Sequence, residues 1–288
     1  MYKFDPKGDP VDSCFRAIAV DQLDEALADL ATPEGHGRSV VHEARRRCKK
    51  LRGLLRLVRP AFPEFARENA AIRDAAALLS HLRDAEVLRQ TVADLGKAHD
   101  NEAVKRIGAR LAAEPLEEAH ADKLKEFRDQ LAAVRERAAG WELSKTGLAA
   151  LLPGLRRTYR ADREGMVAAL RSGDPLVFHE WRKANKSHGF HVDLLKKTAP
   201  DMLGADLPAI EKLSDLLGWH HDLSVLKAAA EATPERFGDA GDIAALNEAI
   251  EIRRGEIEVQ AFELGRQLLA ERPRALARRF SRYWKTAA

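Results

Sequence analysis

The chain has 288 residues, with 48 Lys and Arg against 45 Asp and Glu, a formal net charge of +3, and 45% hydrophobic residues. That length allows one large domain or two ordinary ones, and the near balance of charge excludes a general polycation. No apolar stretch approaches the roughly 20 residues that cross a bilayer, and two cysteines, Cys14 and Cys48, cannot make a disulfide framework.

In chain order, MYKFDPKGDPVDS has neither a basic leader nor an apolar stretch, which points to a cytoplasmic protein. Val20, Leu23, Leu27 and Leu30 then recur at helical spacing. Breaks follow at Thr32-Pro33-Glu34-Gly35, at the Arg59–Pro63 segment, at Gly173-Asp174-Pro175, at Ala199-Pro200 and at Thr233-Pro234. β-branched runs are absent. The fold class expected is all-α, with helices of about 20 to 35 residues packed in bundles.

The first informative run is HEARRRCKKLRGLLR from His42, and the second is HEWRKANKSHGFHVDL from His179, 137 positions later. Each has Glu at +1, Arg at +3, a cation at +4 and Lys at +7: Arg45, Arg46 and Lys49, then Arg182, Lys183 and Lys186. At about 100° per residue these offsets fall on one stripe of a helix. Arg56 shares the first stripe with Arg38, and Arg52 flanks it, while Ala44, Leu51, Leu54, Leu55 and Val58 take the opposite side. Glu43 is the only acid between Arg38 and Arg59, so like charges repel along this face unless an anion neutralises them. The stretch from Asn101 to Ala139 mixes both signs instead, as a solvated helix does. Cys48 lies between the two faces and reads as a small buried residue.

A second pair of segments repeats: LLSHLRDAEVL from Leu78 and LLGWHHDLSVL from Leu216, with Arg83 aligned to His221, each ahead of an Asp (Asp84, Asp222). Each half then reads as a helix, a basic helix, an Arg/His-Asp helix and a long mixed-charge helix. The organisation expected is two pseudo-symmetric four-helix bundles from an internal duplication, residues 1–140 and 141–288, joined near Gly140 and Trp141, around a basic central cleft. The acids Asp84 and Asp222 are expected to hold Arg83 and His221. His188 and His191 project to the apolar side with Trp181, Ala184, Val192 and Leu195, as hydrogen-bonded core or cleft-edge histidines would, rather than as ligand contacts.

These four motifs resemble the CHAD domain, the conserved histidine α-helical domain, over most of the chain from about Asp9 to Trp284. The resemblance implies two four-helix bundles around a basic cavity and non-catalytic binding of inorganic polyphosphate, at polyphosphate granules. It carries His42, Arg45, Lys49 and Arg52 from the first motif and His179, Arg182, Lys183 and Lys186 from the second. Arg46, Arg56, Arg83 and His221 join them from the stripes and their repeat. The second half departs from the pattern: Gly189 stands where Arg52 would correspond, and Asp193 where Arg56 would.

Two other classes compete. A metal-dependent phosphohydrolase could use His220, His221 and Asp222 with His42 or His81, but no chelate spacing recurs and no Gly-rich phosphate loop appears. A nucleic-acid binder would need aromatics interleaved with the cations or a recognised motif, and neither is present. The expectation is a protein that is not an enzyme, with no metal and no cofactor, whose partner is inorganic polyphosphate and neither membrane nor nucleic acid.

Overall fold

The computed structural model describes residues 2–30, 38–79, 81–115 and 121–288, excluding the side chains of 38–40 and 81–84. Among them the regular structure is helical, without a strand: α1 (Val11–Asp29), α2 (Arg38–Val58), α3 (Phe65–Ala77), α4 (His81–Ala98), α5 (Glu102–Ala113), α6 (Ala121–Ala138), α7 (Leu148–Ser172), α8 (Pro175–Leu194), α9 (Pro200–Ala232), α10 (Pro234–Phe237), α11 (Ala240–Leu268) and α12 (Pro273–Ala287). None is long and apolar enough to cross a membrane.

The helix boundaries follow local chemistry. Gly173 ends α7 at φ 62°, a left-handed cap that a Cβ would resist. Asp174 then accepts from the Leu176 amide at 2.8 Å and Pro175 occupies the first turn of α8, where its missing N–H costs nothing. Pro200 and Pro234 open α9 and α10 in the same way. Arg59–Ala61 tightens into a single 3-10 turn at Pro60. The break expected at Thr32-Pro33-Glu34-Gly35 lies outside the described residues.

Helix starts recur along the chain: α7 begins 137 positions after α1, α8 137 after α2, and α11 138 after α5. The correspondence is not complete. The long third element of the second half, α9, runs unbroken, whereas its first-half counterpart is split into α3 and α4. The expected long mixed-charge helix from Asn101 to Ala139 is two helices, α5 and α6. Asn101 caps the first by accepting from the amides of Ala103 and Val104.

Burial explains how the halves combine. The face of α2 carrying Ala44, Leu51, Leu54, Leu55 and Val58 is buried, each at 1% exposure or less, as periodicity predicts. It joins a core with Phe15 and Ala19 of α1, Leu151 and Tyr159 of α7, Val192 of α8 and Leu203 of α9. Trp141 packs with Phe15 and Phe62 there, their ring centroids 5.2–5.7 Å apart. A second core joins Val92 and Leu95 of α4 and Ile107 of α5 to Leu223 of α9 and Leu246 and Ile257 of α11. Segments 1–140 and 141–288 therefore interlock, since both of these cores draw side chains from each; a third, around Phe178, Trp181, Leu213 and Ala261, lies within the second segment.

Helices α2 and α8 meet at Gly53 and Phe190. A Cβ built on Gly53 would stand 2.8 Å from Cβ of Phe190, closer than side chains tolerate, so the missing methyl sets the approach. His191 adds a tie beside it, Nε2 lying 3.0 Å from the Gly53 carbonyl oxygen. Each partner of this crossing lies eleven positions beyond the histidine that opens its basic run.

Candidate functional site

The crossing brings one end of each basic row together. His42, Arg46, Lys49 and Lys50 of α2 face Lys186 of α8 across a groove of about 420 Å³. Lys49 and Lys186 each lie one turn, ~6 Å along the axis, before Gly53 and Phe190. Gly189, Phe190 and Asp193 continue the α8 wall, and α9 supplies Leu207, Ile210, Glu211, Ser214 and Asp215. Burial and the charge of Arg46 lower the Lys50 pKa, and nearby Asp193 opposes them. The acids at Asp193, Glu211 and Asp215 concentrate the groove's positive side on α2 and Lys186.

The remaining predicted residues take other places. Arg45 donates to the Ala76 carbonyl at 2.6 Å, reaching α3. Arg52 donates from Nε to Asn69 Oδ1 at 3.1 Å, also on α3. Arg56 is half-buried near Arg52 and Arg59; burial first, then those two cations, lower its pKa to about 10. Arg46 is additionally ion-paired to Glu43 at 2.7 Å on the exposed face, an i,i+3 pair worth a few tenths of a kcal/mol. The first stripe therefore splits, with one flank in the groove and the other against α3.

Toward the start of α8, His179 and His221 place their ring centroids 4.3 Å apart, joining α8 to α9. Burial and the charges of Lys183 and Arg182 lower the His179 pKa. Burial, His179, Arg182 and His220 bring His221 down to about 4. Both rings are thus neutral near pH 7, in a surrounding that already holds positive charge. Lys183 pairs with Glu180 at 2.7 Å on the surface. The Arg83 and Asp84 side chains lie outside the described residues.

His188 and His191 are core residues, as their apolar-side projection predicts. His188 Nδ1 lies 3.1 Å from Oδ2 of the fully buried Asp162, whose other oxygen accepts from Trp181 Nε1 at 3.0 Å. His191 is fully buried, and burial brings its pKa to about 3. Cys48 is buried as expected, and burial raises its thiol pKa to about 12. His220 is also buried, stacked on Phe178 at 4.1 Å, with Nε2 3.0 Å from Glu258 and 3.4 Å from Nε of Arg254. That surrounding is an aromatic and ion-pair core, with a guanidinium where a metal would suffer repulsion. Among the described residues no three His, Cys, Asp or Glu side chains are grouped to hold a metal ion.

Sequence reasoning missed Lys50, the α9 wall and the Gly53–Phe190 contact. The signal for the last was visible: a glycine inside a Leu- and Arg-rich helix marks a close approach.

The described residues form a helical scaffold in which two basic helices cross beside a groove. Residues 19–231 match the CHAD domain family, and the chain belongs to that family. The crystal structure of the CHAD domain from the plant Ricinus communis is similar in fold, with a TM-score of 0.51 and 18% identity over 93% of this chain and 96% of that one. No curated protein matches the sequence.

Proposed function

We propose that the protein binds inorganic polyphosphate without catalysing its turnover, in the groove between α2 and α8, and that this binding places it at cytoplasmic polyphosphate granules. The observation that carries the reading is the gathering of His42, Arg46, Lys49 and Lys186 on one groove by the crossing at Gly53 and Phe190. A phosphate chain carries roughly one negative charge per unit and presents oxygens in every direction, so many cation contacts and released counterions supply the affinity. Arg46 offers paired donors to neighbouring oxygens, and the lysines act as point charges. The acids on α9 repel such a chain toward α2.

The test is equilibrium binding of polyphosphate at physiological salt to wild type and to Lys49→Glu/Lys186→Glu, with duplex DNA as competitor. Reversing two groove cations should weaken binding at least about tenfold and flatten its salt dependence. Unchanged affinity, or displacement by equimolar DNA, would sink the reading. Phosphate release from polyphosphate by purified protein, with metal analysis of the same sample, separates this reading from a phosphohydrolase built on His220, His221 and Asp222.

A further inference from the structure

A second concentration of arginine lies apart from the basic runs. α12 has no acid from Pro273 to the last residue, and α7 has none before Asp162, whose carboxylate is buried and engaged by Trp181 and His188. The two helices pack together around a groove of about 580 Å³ lined by Arg156, Arg274 and Arg278 with Leu152, Pro153 and Ser281. All three arginines are exposed, and none is hydrogen-bonded or ion-paired to another side chain among the described residues. The nearby acids Glu271 and Asp206 are drawn instead to Arg279, at 3.0 and 3.8 Å.

The packing of α7 on the end of α2 brings this groove beside the α3-facing flank of the basic helix. A Cβ on Gly154 would fall 1.8 Å from the Leu57 carbonyl oxygen, so the two backbones are in direct contact there. That contact sets Arg157 near Arg59, close enough for the two charges to repel. Arg59 in turn repels Arg56, and Arg56 repels Arg52. Cations thus follow one another from the basic helix, over its C-terminal end, to the α7–α12 groove. Such a series stores repulsion that only a long polyanion lying across it would neutralise along its length.

We propose that the groove of Arg156, Arg274 and Arg278 is a second anion site that takes a further stretch of the same phosphate chain, reached along Arg56, Arg59 and Arg157. The inference rests on the polyphosphate reading above and adds that chain length is sensed by spanning two grooves. Linked contacts raise avidity only for a ligand long enough to reach both. Its α12 wall lies beyond the residues that match the family model, whereas Arg156 lies within them.

The experiment compares tripolyphosphate with long-chain polyphosphate on wild type, on Arg156→Gln/Arg274→Gln/Arg278→Gln and on Lys49→Glu/Lys186→Glu. Melting curves check that each variant folds; the three arginines are exposed, so the triple variant should melt like wild type. It should lose at least about tenfold in long-chain affinity and about two units of salt slope, ~0.7 for each lost contact, while tripolyphosphate binding stays within about twofold. Unchanged long-chain binding overturns the proposal, and so does loss of duplex DNA binding alone, which would assign the groove to nucleic acid. Long-chain binding that falls in the arginine variant but not in the lysine variant supports this groove and removes the α2–α8 groove. The reverse pattern does the opposite.

Discussion

Gly53 and Phe190 hold corresponding places in the two basic runs and touch each other, so the helices that carry the cations cross at equivalent points. A contact between equivalent positions is what a twofold relation between two like segments produces. Gly53→Ala should push α2 and α8 apart, since its methyl would meet Phe190 Cβ and Cδ2 at 2.8 Å. The expected cost is about 1–3 kcal/mol with weakened polyphosphate binding. Urea unfolding of Gly53→Ala, Phe190→Ala and the pair checks it, because the double variant should recover part of the loss. Gly154→Ala should cost more than Gly53→Ala. Its obstacle is the Leu57 backbone carbonyl, which cannot rotate away.

Arg45 and Arg46 are neighbours with the same charge and different work. Arg45→Ala removes a 2.6 Å donor from the Ala76 carbonyl near the C-terminal end of α3, and should cost about 1 kcal/mol of stability. Arg46→Ala removes only the surface pair with Glu43, and should stay within about 0.5 kcal/mol while weakening polyphosphate binding. Thermal melts and binding titrations on the two variants check the contrast. A stability loss at Arg46 equal to that at Arg45 would contradict the assignment.

What was legible in the sequence was local. The apolar side of α2 could be read because helical period puts Ala44, Leu51, Leu54, Leu55 and Val58 on one stripe, and all five are buried. Pro175, Pro200 and Pro234 marked helix starts because a proline has no amide to lose there. The same periodicity put His188 and His191 on the apolar side of α8, and burial makes them core residues. What could not be read was which helix meets which. The tie from His191 to Gly53 joins residues 138 apart, and the core of Val92, Ile107, Leu223 and Leu246 draws on both halves. The division of the first basic stripe, Arg45 and Arg52 to α3 and Arg46 and Lys49 to the groove, also depends on the neighbours of α2. Its own spacing does not show them.

Asp162 ties α7 to α8 through two buried hydrogen bonds, from Trp181 at 3.0 Å and with His188 at 3.1 Å. Burial raises its pKa, with His188 and Trp181 opposing. Asp162→Ala would leave the Trp181 N–H and the His188 ring buried without their acceptor. The expected loss is roughly 3 kcal/mol or more. Asp162→Asn keeps one acceptor oxygen and should cost less. Denaturant midpoints of the two variants would reverse order if Asp162 were a passenger in the core.

On the polyphosphate reading, a chain that runs from the groove toward the start of α8 meets His179 and His221, and binding then depends on pH. In the free protein His221 titrates near 4, held down by burial, His179, Arg182 and His220, and His179 is lowered by burial, Lys183 and Arg182. A polyanion beside them stabilises the protonated rings and raises both values in the complex. Between the free and the bound pKa the complex carries more protons than the separated partners. Affinity therefore rises as pH falls through that interval and is flat above it. The increase therefore lies between the raised values of the complex and the lowered free values, reaching down to about 4 for His221. Each histidine contributes at most about a tenfold gain per pH unit. The folded protein itself loses stability over the same range, because His191 and His220, at about 3 and 4, stay neutral when folded and take up protons on unfolding. Binding titrations from pH 8 down to about pH 5 avoid that complication. His179→Gln/His221→Gln should reduce the rise while leaving affinity at pH 8 nearly unchanged, the remainder belonging to His42 in the groove, and a wild-type affinity that is level across the whole range would take the histidines out of ligand binding.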